Sequence, residues 1–275
     1  MMKTIPIWLR TTFVAFTLAR SAGVAIVSLN PIADAFVTAG SADPNAGSPT
    51  LNYGGAGTLQ VSASGSTKGE IQSLLKFDLA TAKASFDTTF GAGNWFVDSI
   101  ILQLGTSVGA QGAQPNNPIF NTVNAGLFKV DWLANDSWVE GTGTPAIPTT
   151  DGVTFSALAS LIGAADETLG TFTYTPVGNT NPPAVPPATY ALSIQTSFLA
   201  DVTAGNIVSL RAYAGDAGVS YFFNSRTFVT AANWPTLLVS AVPEPGASAL
   251  LACGAAAWLA RRRRHPQATQ RLHKL

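Results

Sequence analysis

The chain has 275 residues, with 15 basic and 15 acidic side chains and no formal net charge. Its one cysteine, Cys253, and its two histidines, His265 and His273, all lie near the C-terminus. The body of the chain therefore excludes internal disulfides, Ser-His or Cys-His catalytic pairs, and histidine or thiolate zinc sites.

Residues 1–35 read as an export leader, an N-terminal signal helix. Lys3 and Arg10 give a positive start, and 11–27 is largely apolar apart from Arg20. Ala33 and Ala35, with Asp34 between them, supply small residues at the two positions that a signal peptidase reads. Asn30-Pro31 argues against one continuous anchor helix. Cleavage is expected after Ala35, leaving 36–241 as the folded domain. Between Phe36 and Pro245 six basic residues (Lys68, Lys76, Lys83, Lys129, Arg211 and Arg226) face fourteen acidic ones, a net charge of −8. So acidic a segment excludes nucleic acid as a partner, because that binding needs clustered Lys and Arg.

Apolar alternation bounded by Gly, Pro, Asn or Asp predicts nine strands: 58–62, 72–78, 99–104, 126–132, 168–173, 190–194, 207–213, 219–223 and 236–242. No repeat of fixed period appears, which disfavours a solenoid or propeller. The fold class is all-β, an antiparallel β-sandwich of jelly-roll type. Short helical turns are expected at 80–86 and 155–162, and long loops at 105–124, 141–152 and 176–189.

Chemistry in this segment is left to carboxylates, hydroxyls, lysine and oxygen-bound cations. Trp95, Trp132 and Trp138 are candidate sugar-stacking platforms, with Trp132 placed in the core by its position at the end of an alternating strand. Trp138 stands among Asp136, Ser137 and Glu140, and Trp138, Glu140 and Arg226 are the candidate ligand contacts. Arg226 either clamps a carboxylate such as Asp78 or Asp131, or grips the carboxylate of an acidic sugar. Asp131, Asp136, Glu140 and Asp151 form the densest acidic group. They are a candidate calcium set, calcium being the one cofactor the sequence suggests, or a source of the two carboxylates of a glycosidase, or a solvated loop. Lys76, between Leu75 and Phe77, should point to the opposite sheet face from both.

The last stretch, 242–264, has three parts. Val242 leads into a Pro-Glu-Pro triplet (Pro243, Glu244, Pro245), an uncharged apolar run follows at 246–260, and then come Arg261, Arg262, Arg263 and Arg264. As a helix the run would reach about 22 Å, a short transmembrane span whose arginines mark the cytoplasmic end. Residues 265–275 would be a cytoplasmic tail. The order of the three parts resembles the PEP-CTERM sorting signal. That resemblance implies recognition by an exosortase, cleavage near Pro243–Pro245, and export linked to extracellular polysaccharide and biofilm in Gram-negative bacteria.

A second resemblance covers 36–241. Asn52-Tyr53-Gly54-Gly55, Trp138-Val139-Glu140-Gly141-Thr142-Gly143, Gly152-Val153-Thr154-Phe155, Ser225-Arg226 and Trp234-Pro235-Thr236-Leu237-Leu238-Val239 are similar to segments of the DNRLRE-type domain. Thr227 and Phe155 depart from that pattern. The resemblance implies a jelly-roll sandwich related to carbohydrate-binding modules, without catalysis. Three readings follow: a non-catalytic surface or biofilm-matrix protein that binds polysaccharide, a secreted carboxylate-dependent glycan hydrolase or lyase, and a purely structural protein-binding matrix component. Expected partners are signal peptidase, exosortase, the inner membrane transiently through 246–260, and extracellular polysaccharide.

Overall fold

The structure, a computed structural model, describes residues 23–105, 124–174 and 187–244, together with Gly254. Val24–Glu244 form one compact unit. Eleven strands are described: β1 (Ala25–Leu29), β2 (Ala33–Thr38), β3 (Thr58–Ser62), β4 (Ile71–Asp78), β5 (Trp95–Leu104), β6 (Gly126–Leu133), β7 (Glu167–Tyr174), β8 (Ala188–Ala191), β9 (Ile207–Ala214), β10 (Ser220–Asn224) and β11 (Thr236–Pro243). Every strand pair is antiparallel. One sheet, A, has the order β1-β11-β5-β8. The other, B, runs β10-β3-β4-β9-β6-β7, with β2 also on β4.

The core lies between the sheets because each strand turns alternate residues inward. Leu237, Val239 and Ala241 of β11 and Ile100 and Leu102 of β5 meet Leu75 and Phe77 of β4 and Val208 and Leu210 of β9 in one cluster. Its aromatic centre is Phe128, with Tyr190 edge-on at 5.0 Å and Tyr221 at 5.4 Å. Rings crossing at steep angles place positive edges against negative faces, which adds to the area they bury. Trp132 belongs to this cluster, as its alternation predicts.

All nine expected strands are present, with ends shifted by up to four residues. The 80–86 turn extends to a helix, α1 (Ala80–Phe90). The 155–162 turn is a 3-10 turn at Phe155–Ala157 followed by α2 (Leu158–Leu161). A third helix, α3 (Thr196–Ala204), was not expected. It is nine residues long and turns only Phe198 and Val202 inward, too brief a stripe to show as a helical period.

The N-terminal boundary is corrected. Residues 25–38 are two strands of the sandwich: β1 pairs along its length with β11, and β2 with β4. Asp34 and Ala35 are buried in β2, so a cut after Ala35 would remove β1 and half of β2. Small and apolar residues around Asn30-Pro31 look alike as a leader's end and as two short strands joined by a turn. With Asp34 inside, the sandwich holds all fifteen acidic residues of the chain. The leader residues 1–22, most of the 105–124 and 176–189 loops, and, apart from Gly254, the sorting segment from Pro245 through Arg264 lie outside the described residues. Among the described residues no helix is long and apolar enough to cross a membrane.

Candidate functional site

The segment after β6 folds back over the outer face of sheet B and is held there from three sides. Asn52 is the first holder. Its amide donates to the carbonyls of Glu140 (2.7 Å) and Val153 (2.8 Å), and its side-chain oxygen accepts from the N–H groups of Gly54 (3.1 Å) and Gly143 (3.2 Å). All four of its hydrogen-bonding positions are used. The glycines are required by closeness: a Cβ on Gly143 would sit 1.9 Å from the Asn52 carbonyl oxygen, and one on Gly54 2.0 Å from that of Glu140.

Arg226 is the second. Its guanidinium forks onto Glu140, Nε to Oε1 at 2.8 Å and Nη2 to Oε2 at 2.6 Å. Its backbone N–H donates to Asp34 Oδ2 at 2.6 Å, and the Asp34 N–H donates to Glu140 Oε1 at 3.1 Å. Strand β2, the folded-back segment and the turn after β10 are thus tied at one point. Burial pushes the Asp34 carboxyl up to about 8, against the Arg226 N–H, and Glu140 raises it further. Its Oδ1 has no hydrogen-bond partner, which fits a protonated acid better than a carboxylate.

Lys76 is the third. It leaves the sheet on the face opposite Leu75 and Phe77, as alternation predicts, and is half-buried. Its ammonium donates to the Asp136 carbonyl (2.8 Å) and the Trp138 carbonyl (2.6 Å) and lies 4.5 Å from the centre of the Trp138 ring. Burial lowers its pKa, partly opposed by Asp136.

These contacts change the meaning of several candidates. Trp138 is 5% exposed, its indole N–H donates to Ser209 Oγ at 2.9 Å, and its face is taken by Lys76, so it is no open stacking platform. Trp95 is buried likewise, donating to Asp87 at 2.8 Å. The clamp role for Arg226 stands, with Glu140 in place of Asp78 or Asp131 as its partner.

The calcium set does not assemble. Among the described residues no group of three or more His, Cys, Asp or Glu side chains gathers to hold a metal. Glu140 is occupied by Arg226. Asp131 faces Arg211 at 3.7 Å from β6. Asp136 turns toward Ser209, with burial raising its pKa. Asp151 is capped by the Thr149 and Thr142 hydroxyls and the Thr142 N–H, which hold it down at about 2. Closeness in sequence placed these carboxylates on different supports.

What the fold-back does create is an open cleft of about 330 Å³ between Ser137–Val139, Thr150–Val153, Ala157 of the 3-10 turn and Leu161 of α2. Trp138 is among its lining residues, and Asp151 is its one carboxylate. Carboxylate-pair glycoside chemistry needs two such groups about 5–10 Å apart across the bond. Sequence reasoning missed Asp34, hidden inside the apparent leader, and gave Asn52 no role beyond its motif.

No protein-family model matches the chain, and no curated protein matches it. The class that fold and site define is an antiparallel β-sandwich whose folded-back segment is clamped by Asn52, Arg226 and Lys76.

Proposed function

We propose that this is an exported, non-catalytic cell-surface or biofilm-matrix protein, sorted by an exosortase through its C-terminal segment, whose sandwich binds extracellular polysaccharide. The observation that carries the sorting half is the way the domain ends. β11 runs through Val242 into Pro243, the first residue of the Pro-Glu-Pro triplet, and the Glu244 N–H is held by the Asn94 carbonyl at 2.9 Å. The folded unit ends within the triplet, at Glu244, so a cut at or beyond Pro245 leaves the cargo whole. In this reading the leader ends upstream of Val24, where Ser21 and Gly23 offer small residues at the positions a signal peptidase reads.

The finer fold reading, a jelly roll, is supported by strand order. Setting aside β2, β3 and β10, the sheets run β1-β11-β5-β8 and β4-β9-β6-β7, the order of eight strands wound as two Greek keys with the first beside the last. The cleft beside Trp138 and Asp151, lined by apolar side chains with the hydroxyls of Ser137 and Thr150 and by no lysine or arginine, suits a neutral sugar ring better than an acidic one.

In the native host, Glu244→Ala should leave full-length protein in the membrane fraction while the wild type loses its C-terminal tag. Equal processing of the two proteins would remove the sorting reading. The exposed Thr150→Trp variant fills the cleft and should lose retention on the host's exopolysaccharide, with an unchanged melting temperature. Undiminished retention would place binding elsewhere on the sandwich.

A further inference from the structure

Sheet A turns one face to the core and the other to solvent. Ala25, Trp95, Val97 and Ala241 turn inward, so their neighbours Val24, Ile26, Phe96 and Val242 turn outward. Val24, Ile26 and Phe96 are 57%, 66% and 44% exposed. Phe96 pairs with Val242, and Ile26 pairs with Ser240 two residues away. The four strands of this sheet contain no lysine or arginine, and Asp98, in the bulge, is their only charge.

The position of this patch says what covers it. Ala25 pairs with Ala241, so the chain enters β1 and leaves β11 at the same end of the sheet, and the exposed apolar side chains gather at that end. Beyond Glu244 the sequence continues into the apolar run 246–260. As a helix that run spans about 22 Å of a hydrocarbon core ~30 Å thick. A span that short thins the bilayer and draws whatever adjoins it toward the headgroup layer. Here the adjoining surface is apolar at Val24, Ile26, Phe96 and Val242, the kind that gains free energy by leaving water at that boundary, with Asp98, whose carboxylate accepts from the Ser240 hydroxyl at 3.3 Å, and Glu244 as the acidic groups at its rim.

We propose that Val24, Ile26, Phe96 and Val242 form a lipid-contacting foot, seated in the headgroup region of the bilayer while the chain is anchored. The proposal rests on the anchoring reading above and adds to it a defined surface and partner. Processing after the triplet would release the foot, along with the domain, from the bilayer.

The test uses the full chain in vesicles of phosphatidylethanolamine and phosphatidylglycerol, in a Cys253→Ser background. Ile26→Cys, Phe96→Cys and, as control, the 81% exposed Val229→Cys are each labelled with an environment-sensitive fluorophore. Resistance to an alkaline carbonate wash reports anchoring. Quenching by lipids spin-labelled near the headgroup reports contact. The expected result is carbonate resistance for all three proteins, with quenching several-fold stronger at 26 and 96 than at 229. Carbonate resistance with equal quenching at all three overturns the foot and leaves the anchor standing. Loss to the wash overturns both. Shielding of 26 and 96 that rises with protein concentration in lipid-free detergent assigns the patch to a second copy, and shielding there at every concentration assigns it to the chain's own apolar ends; either outcome overturns a lipid partner.

Discussion

Asn52→Ala is expected to lower the stability of the sandwich by about 4 kcal/mol, measured by urea or thermal unfolding, since each buried group left without its partner costs about 1–3 kcal/mol. Four groups lose their partner at once: the carbonyls of Glu140 and Val153 and the N–H groups of Gly54 and Gly143. Asn52 is fully buried, and the surrounding glycines approach too closely for a rearranged side chain to substitute. Asn52→Asp sharpens the result. It keeps an oxygen for the two glycine N–H groups but sets a second oxygen against two carbonyls, so it should destabilise at neutral pH and recover part of the loss in acid, where the carboxyl can donate. Limited proteolysis should nick both variants first between 139 and 153, ahead of global unfolding. A loss below about 1 kcal/mol for Asn52→Ala, the value of a single ordinary hydrogen bond, would mean that the folded-back segment is held without it.

That prediction marks where the sequence was readable. Strand positions were legible because alternation is local: 58–62 and the structure's β3 coincide, and the 236–242 strand differs from β11 by one residue. Asn52, Glu140, Gly141, Gly143, Gly152 and Arg226 were all legible as motif residues through the family resemblance, with Glu140 and Arg226 also singled out by residue type. Their purpose was not. Arg226 lies 86 residues from Glu140 and 192 from Asp34, and no local pattern encodes which carboxylate an arginine will reach. β1 and β2 failed for a different reason, because apolar, small and Asn-Pro residues satisfy the requirements of a cleavable leader and of two edge-paired strands equally well. The acidic group failed because nearness along a loop does not fix where carboxylates point. Asp151 found two threonines, and Glu140 an arginine.

Asp34→Asn is expected to stabilise the protein, increasingly so as pH rises from 4 to 8. Burial first, and the Glu140 charge with it, raises the Asp34 carboxyl from 3.8 to about 8 in the folded state, against the pull of Arg226. Between those values the unfolded chain has given up the proton and the folded one has kept it. Stability therefore falls as pH rises through this window, by up to ~1.4 kcal/mol per unit. Below about 4 both states are protonated and the penalty is absent. Above about 8 both are ionised and it is constant. Asparagine has no proton to lose and retains an oxygen to accept the Arg226 N–H, so the variant should match the wild type near pH 4 and exceed it by several kcal/mol near pH 8. The window is unusually clean because both histidines lie in the C-terminal tail beyond the sandwich. Asp43, Asp87, Asp151, Glu167 and Asp216, whose pKa values are lowered, lose their contributions only in acid. Asp136, raised by its own burial, acts in the same direction as Asp34, and Asp136→Asn separates the two. Unfolding curves at pH 5, 6.5 and 8 decide the matter. Wild type and Asp34→Asn running parallel across all three would mean that Asp34 is already ionised in the fold, with Arg226 strong enough to hold two carboxylates, Asp34 and Glu140, against the cost of burying them.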